Sequence, residues 1–262
     1  MYKILYFIIA IFSTTIGSVS GMGGGIIIKP VVDTIGQYDA ATIGVLSAFT
    51  VLTMSIVSIG RQIQKKVHIN RQIALFIVIG SILGGFLGQQ MLAALISVAG
   101  KNTILIQNSI LVFVVISVFI YMSNKQRIRS LGKDGALSSM LAGTILGMLS
   151  SFLGIGGGPI NVALLIFVFS FDTKNATIYS IITIMFAQIS KLLTVIAGGG
   201  LSQYNLSILP YMLVGAVLGG FVGTYFNQKF SAEFIEKTFN AVQIMVMAIC
   251  VFNIVKALAQ FN

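Results

Sequence analysis

Charged residues are scarce in this chain of 262 residues: only 8% are Asp, Glu, Lys or Arg, and tryptophan is absent. A soluble domain carries about 25% charged residues, so the chain lacks the polar surface that a water-exposed domain needs. The single cysteine, Cys250, excludes an internal disulfide. The single histidine, His68, lies in a basic loop and is expected to be solvated rather than a ligand. We predict no metal site, no cofactor and no enzymatic activity, because clustered His, Cys or acidic residues are missing.

Hydrophobic residues make up 56% of the chain, and its mean hydropathy is +1.00. Apolar runs of about 17–25 residues, long enough to cross a bilayer, fill most of its length. Two further runs, 26–35 and 159–171, are short, and each follows a glycine cluster. The sequence therefore predicts an all-α, polytopic membrane helix bundle of eight to ten segments that forms one domain over residues 1–262. The eight longer segments are 4–20, 40–59, 72–96, 103–122, 136–153, 177–197, 206–226 and 239–258.

The N-terminal segment has some features of a secretory signal, with Lys3, an apolar stretch and the small residues 18–21. Cleavage there would cut into the glycine cluster 21–25, whose pattern recurs later in the chain. We therefore expect the segment to be retained.

The net charge of +10 is expected to report orientation rather than a nucleic-acid partner. Loops that face the cytoplasm are enriched in Lys and Arg, and here two loops hold most of the basic residues. We predict that both loops are cytoplasmic in a bacterial plasma membrane. Their basic residues are Arg61, Lys65, Lys66 and Arg71 in the first, and Lys125, Arg127, Arg129 and Lys133 in the second.

Three landmarks recur in the same order, which predicts two duplicated units at about 1–123 and 136–262. The matching pairs are 21–25 with 154–158, 41–43 with 176–178, and 84–88 with 219–223. If each short segment counts as a crossing, the second unit is inverted and Lys174, Lys229 and Lys237 lie inside. If the short segments only dip into the bilayer, those lysines lie outside. The positive-inside rule favours the inverted arrangement.

The glycine triplets Gly23, Gly24, Gly25 and Gly156, Gly157, Gly158 have two interpretations. Glycine allows close packing of membrane helices, which suits the clusters 84–88 and 219–223. Three consecutive glycines also free the backbone to leave helical geometry, and Pro159 favours the start of a helix there. The unpaired amides at a helix N-terminus suit an anion. Paired breaks in two repeats are a pointer to a transport site, so we predict that the triplets bind substrate.

Polar residues inside apolar segments are the other candidates for the substrate site. Lys191 lies within segment 177–197, and Gln188 lies one turn before it on the same face. An ionised group inside a membrane is costly and points to function, although a lysine can also extend its side chain toward the bilayer surface. Asn161, just after the second glycine cluster, can contact the ligand or bond another helix.

Lys29 follows the first glycine cluster and admits two interpretations. Asp33 is four residues on and can form an ordinary helical ion pair, whereas Pro30 disfavours helix at Lys29. The six acidic residues all lie at segment ends or in loops, so no carboxylate relay for protons is expected inside the membrane.

These features resemble the sulfite exporter TauE/SafE family of bacterial membrane permeases, in which each half begins with a Gly-x-Gly-Gly-Gly motif followed by proline. Gly21–Gly25 with Pro30 fits that pattern, and Gly154–Gly158 fits its start, but Ala163 stands where the later proline is expected. The resemblance covers essentially the whole chain. It implies transport of sulfur-containing anions such as sulfite, sulfoacetate or other organosulfonates.

The predicted function is therefore secondary transport of a small anion across the lipid bilayer. The alternatives are an anion channel or facilitator, because glycine-lined breaks also build pores, and a structural subunit, which would not need matched glycine breaks. Assembly as a homo-oligomer stays open.

Overall fold

The computed structural model describes residues 2–64 and 69–259, so Lys65, Lys66 and His68 lie outside the described part. That part contains ten α-helices and no strand, which confirms the predicted all-α fold. Seven of these helices are long and apolar enough to cross a membrane. The helices are α1 Tyr2–Ser20, α2 Gly25–Ile35, α3 Ala40–Gln64, α4 Arg71–Ala99, α5 Thr103–Asn124, α6 Ala136–Phe152, α7 Pro159–Phe169, α8 Thr173–Ala197, α9 Leu209–Lys229 and α10 Ala232–Ala259.

Two helices are much shorter than a full span, as expected. Helices α2 and α7 have 11 residues each, as their short apolar segments predict. Helix α6 has 17 residues, agrees with the predicted segment 136–153 to within one residue, and lies at the lower limit of a span.

Local sequence sets the limits of the short helices. Helix α2 ends at Gly36, which adopts the left-handed conformation (φ 75°) and donates its amide to the Val32 carbonyl. Helix α7 begins with Pro159 in its first turn, as predicted, because proline needs no hydrogen-bond partner there. The expectation that Pro30 turns Lys29 out of the helix is wrong, since α2 continues through Pro30. The freed carbonyls at such a proline can be satisfied by neighbouring helices in a membrane protein.

Each predicted repeat is tied to the other by glycine-lined helix pairs. Helix α4 packs along α6, and α1 packs along α9, in both cases with the two helices running in the same direction. A Cβ atom at these glycines would meet a backbone carbonyl of the partner helix, so only glycine permits the contact. The pairs are Gly80 with Met140, Gly84 with Thr144, Gly88 with Met148, Gly215 with Phe7, Gly219 with Ile11 and Gly223 with Thr15.

Helices α3 and α8, at equivalent positions of the two predicted repeats, pack against each other in the centre and run in opposite directions. Gly44 lies beside Lys191, and further along α3 Val51 packs with Ile184, which lies earlier in α8. Exchanging the two repeats also converts other helix contacts into one another, since α5 packs on α7 and the equivalent helix α10 packs on α2. This pattern is consistent with the predicted inverted repeats.

The two ends of the bundle differ sharply in charge. At the end where α3 and α9 finish and α4 and α8 begin, the Ser58 hydroxyl accepts a hydrogen bond from Thr224 and shares one with Ser18. We call this end the basic face; the described basic residues around it are Arg61, Arg71, Lys125, Arg127, Arg129, Lys133, Lys174, Lys229 and Lys237. The opposite face holds loops 36–39 and 198–208, and Tyr6 there donates to Gln37. By the positive-inside rule the basic face is expected in the cytoplasm.

Candidate anion site

The two glycine clusters meet in the middle of the bundle. A Cβ atom at Gly23 would lie 2.6 Å from the Gly156 carbonyl oxygen, and one at Gly157 would lie 2.9 Å from the Met22 carbonyl oxygen. Gly23, Gly156 and Gly157 also have positive φ angles, which side chains disfavour. The triplets therefore serve close backbone contact between the repeats, and the Gly25 position is equally crowded by the Ile155 carbonyl.

The same loops keep free backbone donors. In the described part of the chain, the amides of Gly23, Gly24, Gly156 and Gly157 donate no hydrogen bond to a protein acceptor. All four residues are buried, and a buried amide without a partner is costly. Such donors beside the starts of α2 and α7 suit an anion.

Lys191 is the most unusual buried residue of the bundle. It lies on α8 with 1% of its surface exposed, and its Nζ atom donates to the Ser151 carbonyl oxygen at 3.3 Å. Within residues 2–64 and 69–259, no carboxylate forms an ion pair with it. An ammonium group in this position lacks the compensation that buried charges ordinarily have.

Lys29, by contrast, is fully engaged. Its Nζ atom lies 2.7 Å from Asp33 Oδ2, and the two side chains are 3% and 0% exposed. Asn108 of α5 donates to the same carboxylate oxygen at 3.1 Å. The helical ion pair, one of the two interpretations of Lys29, is therefore the one that the structure contains.

The two lysines approach the same region from different helices. A Cβ atom at Gly154 would lie 3.5 Å from Lys29 Cδ and 3.5 Å from Gly44 Cα. A Cβ atom at Gly44 would lie 3.3 Å from Lys191 Nζ. The start of the α6–α7 connection and Gly44 of α3 therefore lie between the two lysine side chains. With Asp33 included, the region has a net charge of +1.

Gln188 and Asn161 are both buried, and each keeps unused polar atoms. Gln188 donates to the Ser150 hydroxyl at 3.0 Å, while its Oε1 atom has no partner among the described residues. Asn161 has none for either side-chain polar atom, and it is 0% exposed. The structure places Gln188 one turn from Lys191, as predicted, and Asn161 in the first turn of α7.

Two cavities open on the face opposite the basic face. One, of about 350 Å³, is lined by Lys191, Gln89 and Leu92 and by Asp39 and Tyr204. Burial, followed by the Asp39 carboxylate, raises the pKa of the Tyr204 hydroxyl, so it remains a neutral hydrogen-bond donor in this cavity. The other cavity, of about 880 Å³, has Asp33 in its wall and shares Asp39 with the first. Lys191 and Asp33 thus both border cavities that open on the face opposite the basic face.

Several polar residues of this region were missed from the sequence. Asp33 lies in the last turn of α2, as expected for an acidic residue at a segment end, but its burial was not expected. Its side chain is buried because α2 begins in the middle of the bundle and α5 and α10 cover its end. The hydroxyls of Ser47 and Ser151 are also buried without a partner in the described part. Small polar residues in an apolar helix give little sequence signal, because they also pack and bond helices.

Comparison with known proteins supplies the family. The model of the family described as sulfite exporter TauE/SafE matches residues 6–250, nearly the whole chain. Neither the curated proteins nor the solved structures give a match. The matched range includes both glycine clusters, both buried lysines and all or most of each crossing helix. The chain therefore belongs to the sulfite exporter TauE/SafE family, a family of membrane transporters and not of enzymes.

Proposed function

We propose that this protein is a secondary transporter of small sulfur-containing oxyanions or organosulfonates, such as sulfite or sulfoacetate, and that Lys191 binds the anion. The observation that carries the proposal is a buried ammonium group that forms no ion pair with a described carboxylate, in the wall of a cavity that opens at one face. A charged lysine at the centre of a membrane helix costs about 2.5–3.5 kcal/mol. A bound anion would offset that cost.

The other predicted contacts complete the site. Gln188 and Lys191 share one face of α8, and an amide and an ammonium group together can donate to two oxygens of a sulfonate or sulfite. The free backbone amides of the glycine clusters add hydrogen-bond donors on the side of Lys191 that is nearer the basic face. Lys29 lies close by and is neutralised by Asp33, so Lys191 supplies the net positive charge.

A carrier fits these contacts better than the alternative, an anion channel. The glycine clusters touch at the level of Val51 and Ile184, which lies between Lys191 and the basic face. That contact closes the path beyond the cavity, so passage of the anion requires the helix pairs around the clusters to move against each other. Helices α1 with α9 and α4 with α6 form glycine-locked pairs, which suit rigid-body movement of this kind.

Exchange in liposomes tests the transport. Purified protein is reconstituted, and entry of labelled sulfite or sulfoacetate is measured against an excess of the same unlabelled anion inside, with protein-free vesicles as the control. A carrier accelerates this exchange and saturates. Currents of single channels would contradict the carrier, and no exchange of either anion would contradict the function. Lys191→Ala is expected to abolish exchange, whereas Lys256→Ala, at the end of α10, should retain it.

We also propose that the protein lies in a bacterial plasma membrane with its basic face in the cytoplasm. Cys250 is buried and can be replaced by serine to give a background for labelling. A cysteine introduced at Gln203 is then expected to react with a membrane-impermeant reagent from outside intact cells, and one at Arg129 is not. The reverse pattern would contradict this orientation.

A further inference from the structure

Asp33 is a buried carboxylate with one oxygen unused. Its Oδ2 atom accepts from Lys29 and Asn108, while Oδ1 has no hydrogen-bond partner in the described part of the chain. The residue borders the 880 Å³ cavity that opens opposite the basic face. Its side chain is 0% exposed whereas the whole residue is 7% exposed, so the backbone lines the wall and the carboxylate lies behind it. A carboxylate in this position can take a proton from water in the cavity once a local movement of α2 uncovers it.

We propose that Asp33 is a proton site that couples anion transport to proton movement. The proposal rests on the anion site at Lys191. In the structure Lys29 is committed to Asp33 at 2.7 Å. A proton arriving at Asp33 Oδ1 removes the negative charge of the pair and frees Lys29. Lys29 and Lys191 then both face the region around Gly154 and Gly44 as cations.

The charge balance explains why the proton and the anion would travel together. With Asp33 ionised, Lys29, Asp33 and Lys191 sum to +1; with Asp33 protonated they sum to +2. A second net charge in the membrane interior is costly, so protonation of Asp33 and binding of an anion stabilise each other. By linkage, each raises the affinity for the other by the same factor. After the anion leaves, Lys29 returns to Asp33 and the proton is released to water.

The surroundings of Asp33 favour it, rather than a neighbouring titratable group, as the proton site. Asn108, from α5, is an uncharged amide. The titratable groups on the elements packed around Asp33 lie either on the far side of Lys29 or at the face opposite the basic face. No second carboxylate from the described residues contacts Asp33. The titratable groups around it are Lys29 on α2, Tyr6 on α1, Tyr38 and Asp39 before α3, Lys191 on α8, and Cys250 and Lys256 on α10.

The experiment measures proton entry together with anion entry. Liposomes that contain the whole protein and a pH-sensitive dye receive an inward gradient of methanesulfonate, the anion of a strong acid, whose own proton cannot contribute. We expect the lumen to become acidic with the wild type. Asp33→Asn should still exchange labelled methanesulfonate but should acidify the lumen at least ten-fold more slowly. Glu233→Gln, which removes an exposed carboxylate that pairs with Lys237 at the basic face, is the matched control and should acidify like the wild type.

The outcomes separate this inference from the proposed function. If the wild type exchanges the sulfonate but the lumen does not acidify, the proton site is refuted and the carrier stands. Acidification that Asp33→Asn retains in full would also refute it, as would a requirement for sodium. If the wild type exchanges neither methanesulfonate nor sulfite, the proposed function itself fails. Should Asp33→Asn not fold, the wild-type measurement and Asp33→Glu, which should acidify, still decide.

Discussion

Replacing Lys191 by methionine is expected to make the empty protein more stable and to remove its response to anions. Methionine has a similar length but no charge, so little volume is lost. Burying the ammonium group costs about 2.5–3.5 kcal/mol. Its hydrogen bond to Ser151, at 3.3 Å, offsets part of this cost, since bonds to charged groups contribute about 1.5–3 kcal/mol. The substitution should therefore change the stability of the protein without anion by between about −0.5 and +2 kcal/mol, over most of that range a gain.

The order should reverse when a bound anion is present. A ligand at 100 times its dissociation constant stabilises the folded state by about 2.7 kcal/mol. The wild type gains that amount, whereas Lys191→Met should not, because losing a charged hydrogen bond weakens binding by roughly 10- to 150-fold. When stability is plotted against the concentration of sulfite or sulfoacetate, the curves of the wild type and Lys191→Met should cross.

Thermal unfolding of the purified proteins in detergent, followed with increasing anion concentration, measures both effects. Lys256→Met serves as the control, because Lys256 lies at the end of α10 and donates only to the Thr34 carbonyl. The reasoning is refuted if Lys191→Met is less stable than the wild type without anion and is stabilised equally by the anion.

Two further substitutions test the packing of the same region. At equal amounts of folded protein, Gly157→Leu should reduce anion exchange more than Gly219→Leu, because Gly157 (φ 120°) forms the central contact whereas Gly219 packs α9 on α1; equal losses would mean that both glycines only pack. Lys29→Met should destabilise the protein by about 3–5 kcal/mol, since it leaves Asp33 buried and unpaired. The double variant Lys29→Met with Asp33→Leu should recover most of this loss in thermal unfolding. Failure to recover would show that Lys29 does not stabilise the protein through its pair with Asp33.

Much of the fold follows from the sequence because the membrane restricts the choice. Apolar length predicted the crossing helices, and the glycine triplets with Pro159 predicted the two short helices that begin inside the bundle. The contact between the two glycine clusters was not predicted. It joins residues far apart in sequence, and local pattern does not contain it.

The site was predictable only in part. Lys191 stands out within its apolar segment, and the structure adds that no described carboxylate pairs with it. The burial of Asp33 was not predicted, because an acidic residue near the end of a short segment gives no sign of the helices that cover it. Its burial depends on Asn108 of α5 and on α10, which are supplied from distant parts of the chain. Pro30 was misjudged, because local preference disfavours a helix before a proline. Helix α2 nevertheless continues through Pro30, and the Asn253 side chain of α10 donates to the Pro30 carbonyl.

The pairing of α1 with α9 has a consequence for biosynthesis. The face of α1 that carries Ser13, Thr14 and Ser18 is buried in the finished bundle, and Gly215, Gly219 and Gly223 of α9 complete it. During synthesis, α1 enters the membrane about two hundred residues before this partner is made. Its hydroxyls can meanwhile bond to carbonyls of their own helix, as Thr14 does to Ala10. The first half should therefore insert but remain unassembled, and co-expressing residues 136–262 as a separate chain should rescue it.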